Sequence, residues 1–435
     1  MKKINTIFVI LLVVFQLLFS STKILAQNNE SISDFYQYAN NEWVNKTVLP
    51  ENYVVINQVG ILWEEIEKKS LEILSGNLTY ELDNEYLYTL RQLRNFYKST
   101  SETIENPQKR VAEVQKNFPM TYGIIFSKIT VTQKKEAMIR EIIDYLTLAY
   151  RYKIEHTDII GKSYKTFFLN KLDNLRFEIG APSISDFPKM PLLSKTSYSN
   201  NLKLAESYKI ETRKIQTDWR TPYETDCFYY AGSNKINLYA GMLFDFDRND
   251  DIVYLFATLG RTIAHEMTHA FDVVGENYDM DGTKMNVLKK ISSGILFSKD
   301  NRKVVHQSLI NQFNNYSFHD SLFVNGEKTL QENFADLGGV EISILALKMY
   351  LKDKNNNISD NEINESLKEY FIQYARFWKE KATTDYEIAS YKRIHTPQKF
   401  RAIGPIYNQN EFYQLYNINT ESEYYITESK RASIW

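Results

Sequence analysis

Apolar residues recur at helical spacing through most of the chain. In TLGRTIAHEMTHAFDVVG, Leu259, Ile263, Met267, Ala270 and Val274 fall three or four residues apart, which predicts a largely buried helix. LQENFADLGGVEISILALKMYL repeats the pattern with Leu330, Phe334, Leu337 and Ile342. The same periodicity predicts helices over 59–74 and 82–97, through 131–179, and over 202–219, 361–379 and 387–392. Tyr370, Phe371, Tyr374, Phe377 and Trp378 are assigned to the core on this basis. A helix and a return loop are expected between Val287 and Thr329. Phe228, Tyr229, Ile236, Leu238 and Leu243 predict short strands around the turn Ala231–Asn234, and Pro188 to Asn200 reads as a hinge. The fold class is therefore mainly α-helical with a small β-sheet.

The first of these helices carries chemistry. His265 and His269 lie one turn apart on one side, where two imidazoles can grip one metal ion, and Glu266 projects beside them as a water-activating base. Five residues alone can match by chance, and the second helix decides the matter. Glu332 can supply the third ligand of a zinc site that keeps an open position. Asp336, one turn on, can reach the ring nitrogen of a ligating histidine that faces away from the metal. Gly338-Gly339 lets another backbone approach closely. One zinc ion per chain is expected, on His265, His269 and Glu332.

These blocks resemble the neprilysin and endothelin-converting enzyme family of zinc endopeptidases. His265-Glu-Met-Thr-His269 and Glu332-Asn-Phe-Ala-Asp336 are similar to its HExxH and ExxAD. Asp272 and NYDMDG ending at Gly282 are similar to the segment behind its zinc helix, DCFYYAGSNKINLYAGML to its substrate strand, and HTPQKFRAIG to its last signature. Asp34 to Trp43 is similar to its opening DFYxYAxGxW, with Asn41 in place of glycine, a residue that also tolerates a left-handed turn. The resemblance implies a two-lobed zincin-like metallopeptidase with a reduced N-terminal helical domain. It also implies that Glu266 is the base, that His395 steadies the developing oxyanion, and that Arg401 pairs with Asp336 and touches the substrate backbone. Asp226 and Cys227 stand where the family holds the substrate backbone with an Asn-Ala pair. An ionised Asp226 accepts but does not donate, which puts one substrate hydrogen bond in doubt.

Composition narrows the partners. Lys and Arg number 52 against 54 Asp and Glu, a formal net charge of -2, which makes no electrostatic case for nucleic acid. Lys2 and Lys3 precede the apolar run of residues 6–19, and a small residue, Ala26, closes the segment. This predicts a signal peptide over 1–26; an uncleaved anchor is the other reading, but the run is short of the ~20 residues a spanning helix needs. Export to the periplasm, outer surface or extracellular space is expected, with no transmembrane segment after cleavage. The single Cys227 excludes an intrachain disulfide.

The expected organisation is a signal peptide over 1–26, a shortened helical cap over 27–188 and a zinc metallopeptidase domain over 189–435. Two functions follow. One is a secreted endopeptidase for oligopeptides or unstructured polypeptides, with an apolar residue preferred just after the cut, as the resemblance implies. The other, motivated by Asp226 and the short first half, is a zinc-containing peptide-binding protein with weak or no turnover. A metal store fails because two histidines and one carboxylate are too few ligands for a closed site. Oligomeric state is not legible.

Overall fold

The computed structural model describes residues 32–76, 79–244, 251–319 and 322–435. The leader expected over 1–26 lies outside the described residues. Among these residues no helix is long and apolar enough to cross a membrane. The chain runs α1 (Phe35–Lys46), β1 (Val55–Asn57), α2 (Gln58–Ser75), α3 (Asn84–Ser99), α4 (Pro107–Asn117), α5 (Pro119–Thr130), α6 (Gln133–His156), α7 (Lys162–Asp173), β2 (Arg176–Gly180) and α8 (Tyr198–Arg213). It continues through β3 (Cys227–Tyr230), β4 (Lys235–Tyr239), α9 (Arg261–His269), α10 (Arg302–Asn314), β5 (Ser317–His319), β6 (Leu322–Phe323), α11 (Gly326–Lys354), α12 (Asp360–Phe377), β7 (Glu380–Ala382), α13 (Gln398–Ile403) and α14 (Asn410–Tyr416).

Two hydrophobic cores form among the described residues. One gathers the apolar faces of α2 to α5 and α8, with Phe96, Phe118 and Tyr122 at its centre. The larger one surrounds α9 and α11 and takes in α6, α7, α12 and α14. The long helix α11 starts because Asn325 accepts the Lys328 N–H, and α12 because Ser359 and Glu362 cap each other reciprocally. The predicted close approach occurs. A Cβ on Gly339 would stand 2.8 Å from the Arg261 carbonyl oxygen, and one on Gly338 2.5 Å from Thr268 Oγ1. Only bare backbone lets α11 lie against α9 at this crossing.

Several expectations change. Residues 176–180 form a strand rather than continuing the helical pattern, and β2 runs parallel to β4, with β3 antiparallel on the other side of β4. In the order β2-β4-β3, β3 is an edge strand among the described residues, paired Cys227↔Leu238 on its inner side. Asn234 turns the hairpin in the left-handed region, at φ 44°. Asn41 needs no such turn, because it sits inside α1. The run into α9 is not one regular helix: Phe256–Gly260 is a wider π turn, and Ser343 Oγ donates to the Phe256 carbonyl at 2.6 Å. The helix expected over 202–219 begins at Tyr198 and ends at Arg213. The start of the described chain packs against its end, with Phe35 edge-on to Phe412 and Lys399 paired to Asp34.

Candidate metal centre

The crossing of α9 and α11 brings the predicted ligands together. His265 Nε2 and His269 Nε2 are 3.2 Å apart, and Glu332 Oε2 lies 3.4 and 4.0 Å from them. Nitrogen and oxygen donors about 2 Å from one tetrahedral zinc stand about 3.3 Å from each other, so the three atoms have the spacing of one ion's ligands.

The outer nitrogens are already committed. His265 Nδ1 is 2.8 Å from Asp336 Oδ1, and His269 Nδ1 is 2.7 Å from Asp272 Oδ2. Each carboxylate accepts a hydrogen bond from Nδ1–H, which holds the tautomer whose Nε2 lone pair can face a metal. Asp336 is held by Arg401, whose Nε and Nη2 each donate at 2.7 Å. Asp272 is held by the N–H groups of Val274 and Gly275, both at 2.8 Å, and by Gln331. Asp336 was expected in this position. The part played by Asp272 was not, although an aspartate three residues after the second histidine could have signalled it.

Glu266 also lies near the two histidines, with ligand atoms of all three within 4.8 Å. It is the poorer third ligand, since its Oε2 already accepts the Tyr229 N–H at 2.9 Å and its Oε1 stands 3.8 Å from His265 Nε2. Glu266 thus stands beside the three converging donor atoms rather than among them. His395 reaches over from the segment before α13, with Nε2 3.1 Å from Glu332 Oε2 and a side chain 47% exposed. The site opens into a cleft of about 750 Å³ lined by β3, α9 and His395; Asp226 and Cys227 line it, whereas Asp336 and Arg401 stand behind the histidines. Asp226 is occupied within the chain, accepting from Cys227 N at 2.9 Å and pairing with Arg220 at 3.3 Å.

The charges suit a cation. Burial pulls the His265 imidazole down, but Asp336 and Glu332 outweigh it and raise its pKa to about 9. His269 is likewise raised, with burial outweighed chiefly by Asp272. Burial pushes Glu332 and Asp336 up, yet their cationic neighbours hold both far below the usual carboxylate range. Glu266 is raised by burial, only partly offset by the two histidines. Two imidazoles ringed by four carboxylates favour added positive charge, and the donor set of nitrogen and carboxylate oxygen fits zinc.

The sequence model of peptidase family M13 matches residues 226–432. Over this region, just under half of the chain, the sequence is similar to peptidase family M13. The M13 region holds every predicted site residue. Over a longer span the chain is 25% identical to membrane metallo-endopeptidase-like 1 of Mus musculus, covering 77% of this chain and 46% of that protein. It is 28% identical to neprilysin of Oryctolagus cuniculus, covering 61% and 35%. It thus spans less than half the length of these relatives. The fold is similar to that of Mycobacterium tuberculosis zinc metalloprotease ZMP1 in complex with inhibitor, with a TM-score of 0.61, 23% identity and coverage of 76% of this chain and 51% of that one. PepO from Lactobacillus rhamnosis HN001 gives a TM-score of 0.60 at 21% identity, over 81% and 56%.

Proposed function

We propose that the protein is a zinc-dependent endopeptidase acting on oligopeptides or unstructured polypeptides. The observation that carries this reading is the convergence of His265 Nε2, His269 Nε2 and Glu332 Oε2, with both outer imidazole nitrogens held by aspartates. Zinc bound by these three would polarise the scissile carbonyl and make water a stronger acid. Glu266, buried beside the ligands and tied to β3, takes the proton of the attacking water and returns it to the departing amine. His395 donates to the carbonyl oxygen as negative charge develops, the substrate taking over the contact now made with Glu332. β3 is an edge strand, and its backbone groups other than the N–H of Cys227 and of Tyr229, which Asp226 and Glu266 occupy, can pair with an extended peptide whatever its side chains.

The second reading, peptide binding without turnover, draws on Asp226, whose carboxylate oxygens are taken up by Cys227 and Arg220. One experiment separates the two. Zinc content is measured on the purified chain beside hydrolysis of a mixed peptide library. Stoichiometric zinc with cleavage supports the endopeptidase, and stoichiometric zinc with binding alone supports the second reading. No zinc, or unchanged zinc in Glu332→Ala, overturns the ligand assignment. The leader over 1–26 supports export, which detection of a mature chain starting at Gln27 would test. The reduced cap supports a more open cleft that admits long or unfolded polypeptides. Cleavage of one target sequence as a short peptide, a long peptide and a protein loop tests that; a monomer cutting only the short peptide would sink it.

A further inference from the structure

The stretch between α9 and α10 carries an apolar surface that the metal centre does not use. Val287, Leu288, Ile291, Leu296, Phe297 and Val304 are six of the 24 large hydrophobic side chains that stand exposed among the described residues. Leu288 is 74% exposed and Phe297 79%. Single apolar residues on a surface are ordinary, whereas a cluster marks a contact with something else. Val287, Leu288 and Ile291 share one side of a short helix, Val287–Ser292. Leu296 and Phe297 belong to the turn Ile295–Phe297, which packs beside that helix.

The segment is fastened at both ends. Met285 N donates to the Asn277 carbonyl at 2.7 Å, and Lys290 Nζ to Asn277 Oδ1 at 2.6 Å. The Lys299 carbonyl accepts from Gly161 N at 2.8 Å, and Ile295 is buried. The outward apolar side chains are therefore presented by a backbone held in place.

Charge decides which partner fits. Residues 284–303 hold six basic side chains and one acid, Asp300, in a chain whose formal net charge is -2. Arg302 is taken up by Asp300 and Glu276, and Lys289 pairs with Asp279. Lys284, Lys299 and Lys303 are exposed and pair with no carboxylate among the described residues. The core of a protein interface is depleted in lysine. A lipid surface takes both kinds of group at once: apolar side chains enter the headgroup–acyl boundary while ammonium groups stay at the lipid phosphates.

We propose that this segment docks the protein on an anionic phospholipid bilayer, with Leu288 and Phe297 entering the headgroup region. Asn277, which holds the segment, directly precedes Tyr278 of the cleft wall, so docking keeps the cleft close to the bilayer. The proposal needs no turnover and stands apart from the peptidase reading.

The test uses the purified chain from Gln27 onward. Every described element starts at or after Phe35, and the apolar run of residues 6–19 is then absent and cannot enter a bilayer itself. Sedimentation with vesicles of phosphatidylcholine alone is compared with vesicles carrying about one third phosphatidylglycerol, at low and high salt. Binding to the anionic vesicles only, weakened by salt, is expected. Lys284→Gln, Lys299→Gln and Lys303→Gln should each weaken it by about fivefold. Leu288→Ser combined with Phe297→Ser should weaken it by about tenfold or more, with melting temperature, zinc content and hydrolysis of a soluble peptide as in the wild type. No sedimentation with either vesicle, or sedimentation unchanged by the double substitution, overturns the proposal. So does a wild-type dimer that the double substitution converts to a monomer while neither form binds vesicles, because the face then joins two copies of this chain.

Discussion

Glu266 and Tyr229 are joined by a 2.9 Å hydrogen bond, donated by the backbone N–H of the strand residue to the Glu266 carboxylate. The bond ties the base on α9 to the edge strand β3, so the position of the base and that of the strand share one link. Glu266→Gln keeps an oxygen that can accept from Tyr229 and removes no zinc ligand. Zinc content should stay at wild-type stoichiometry while hydrolysis falls by about 10²- to 10⁴-fold. Near-normal activity in that variant, measured on the best library peptide, would show that another group takes the proton.

Asp336 does two jobs, since it holds Nδ1 of His265 at 2.8 Å and neutralises Arg401. Asp336→Asn keeps the shape, loses the charge and leaves the half-buried Arg401 without its ionic partner. Zinc affinity should drop by about 10- to 100-fold, the usual effect of losing a carboxylate behind a ligating histidine. Asp272→Asn should weaken zinc in the same direction through His269. Competition with a chromophoric chelator measures both; equal affinity in wild type and Asp336→Asn would remove Asp336 from the metal centre.

The metal centre was legible where its residues are close in sequence. His265 with His269, and Glu332 with Asp336, are each one helical turn apart, and spacing alone puts each pair on one side. His395 and Arg401 reach the same place across more than 60 residues of chain, with no local pattern to mark them. β2 was missed for a related reason. Arg176 to Gly180 shows no alternation of buried and exposed side chains, and it is a strand because the fully buried β4 pairs with it in parallel. Asn41 was read through a family pattern, whereas its place inside α1 follows from the helical run that Asp34 starts.

The glycine pair gives a packing prediction. On Gly339 a methyl group would come within 2.8 Å of the Arg261 carbonyl oxygen and 3.1 Å of His265 N, both rigid backbone. Gly339→Ala gains helix propensity but forces α11 away from α9, at a net cost of about 1–3 kcal/mol. Because Glu332 and Asp336 ride on α11, zinc binding should weaken together with stability. Denaturant unfolding and zinc titration of the one variant check this, and a stabilised protein with wild-type zinc affinity would mean the crossing has slack.

Glu341 links α11 to the C-terminal residues and should make stability depend on pH. Its side chain is buried and its Oε2 accepts the Ile434 N–H at 3.3 Å. Burial raises its pKa from 4.5 to about 6, with Lys153 and the contacts to Ser433 and Ile434 offsetting only part of the rise. A carboxyl raised on folding favours the folded state while it is protonated. That contribution is complete below about pH 4.5 and is lost as pH rises through about 6, so the ionised group costs on the order of 2 kcal/mol at pH 8. Glu341→Gln keeps an acceptor for Ile434 and cannot ionise. It should be more stable than wild type by up to about that amount above pH 7, with the advantage shrinking to near zero at pH 4.5. Urea unfolding of both proteins across this range measures the difference. A gap that does not change with pH, or that widens as pH falls, would show that Glu341 is ionised in the fold at little cost.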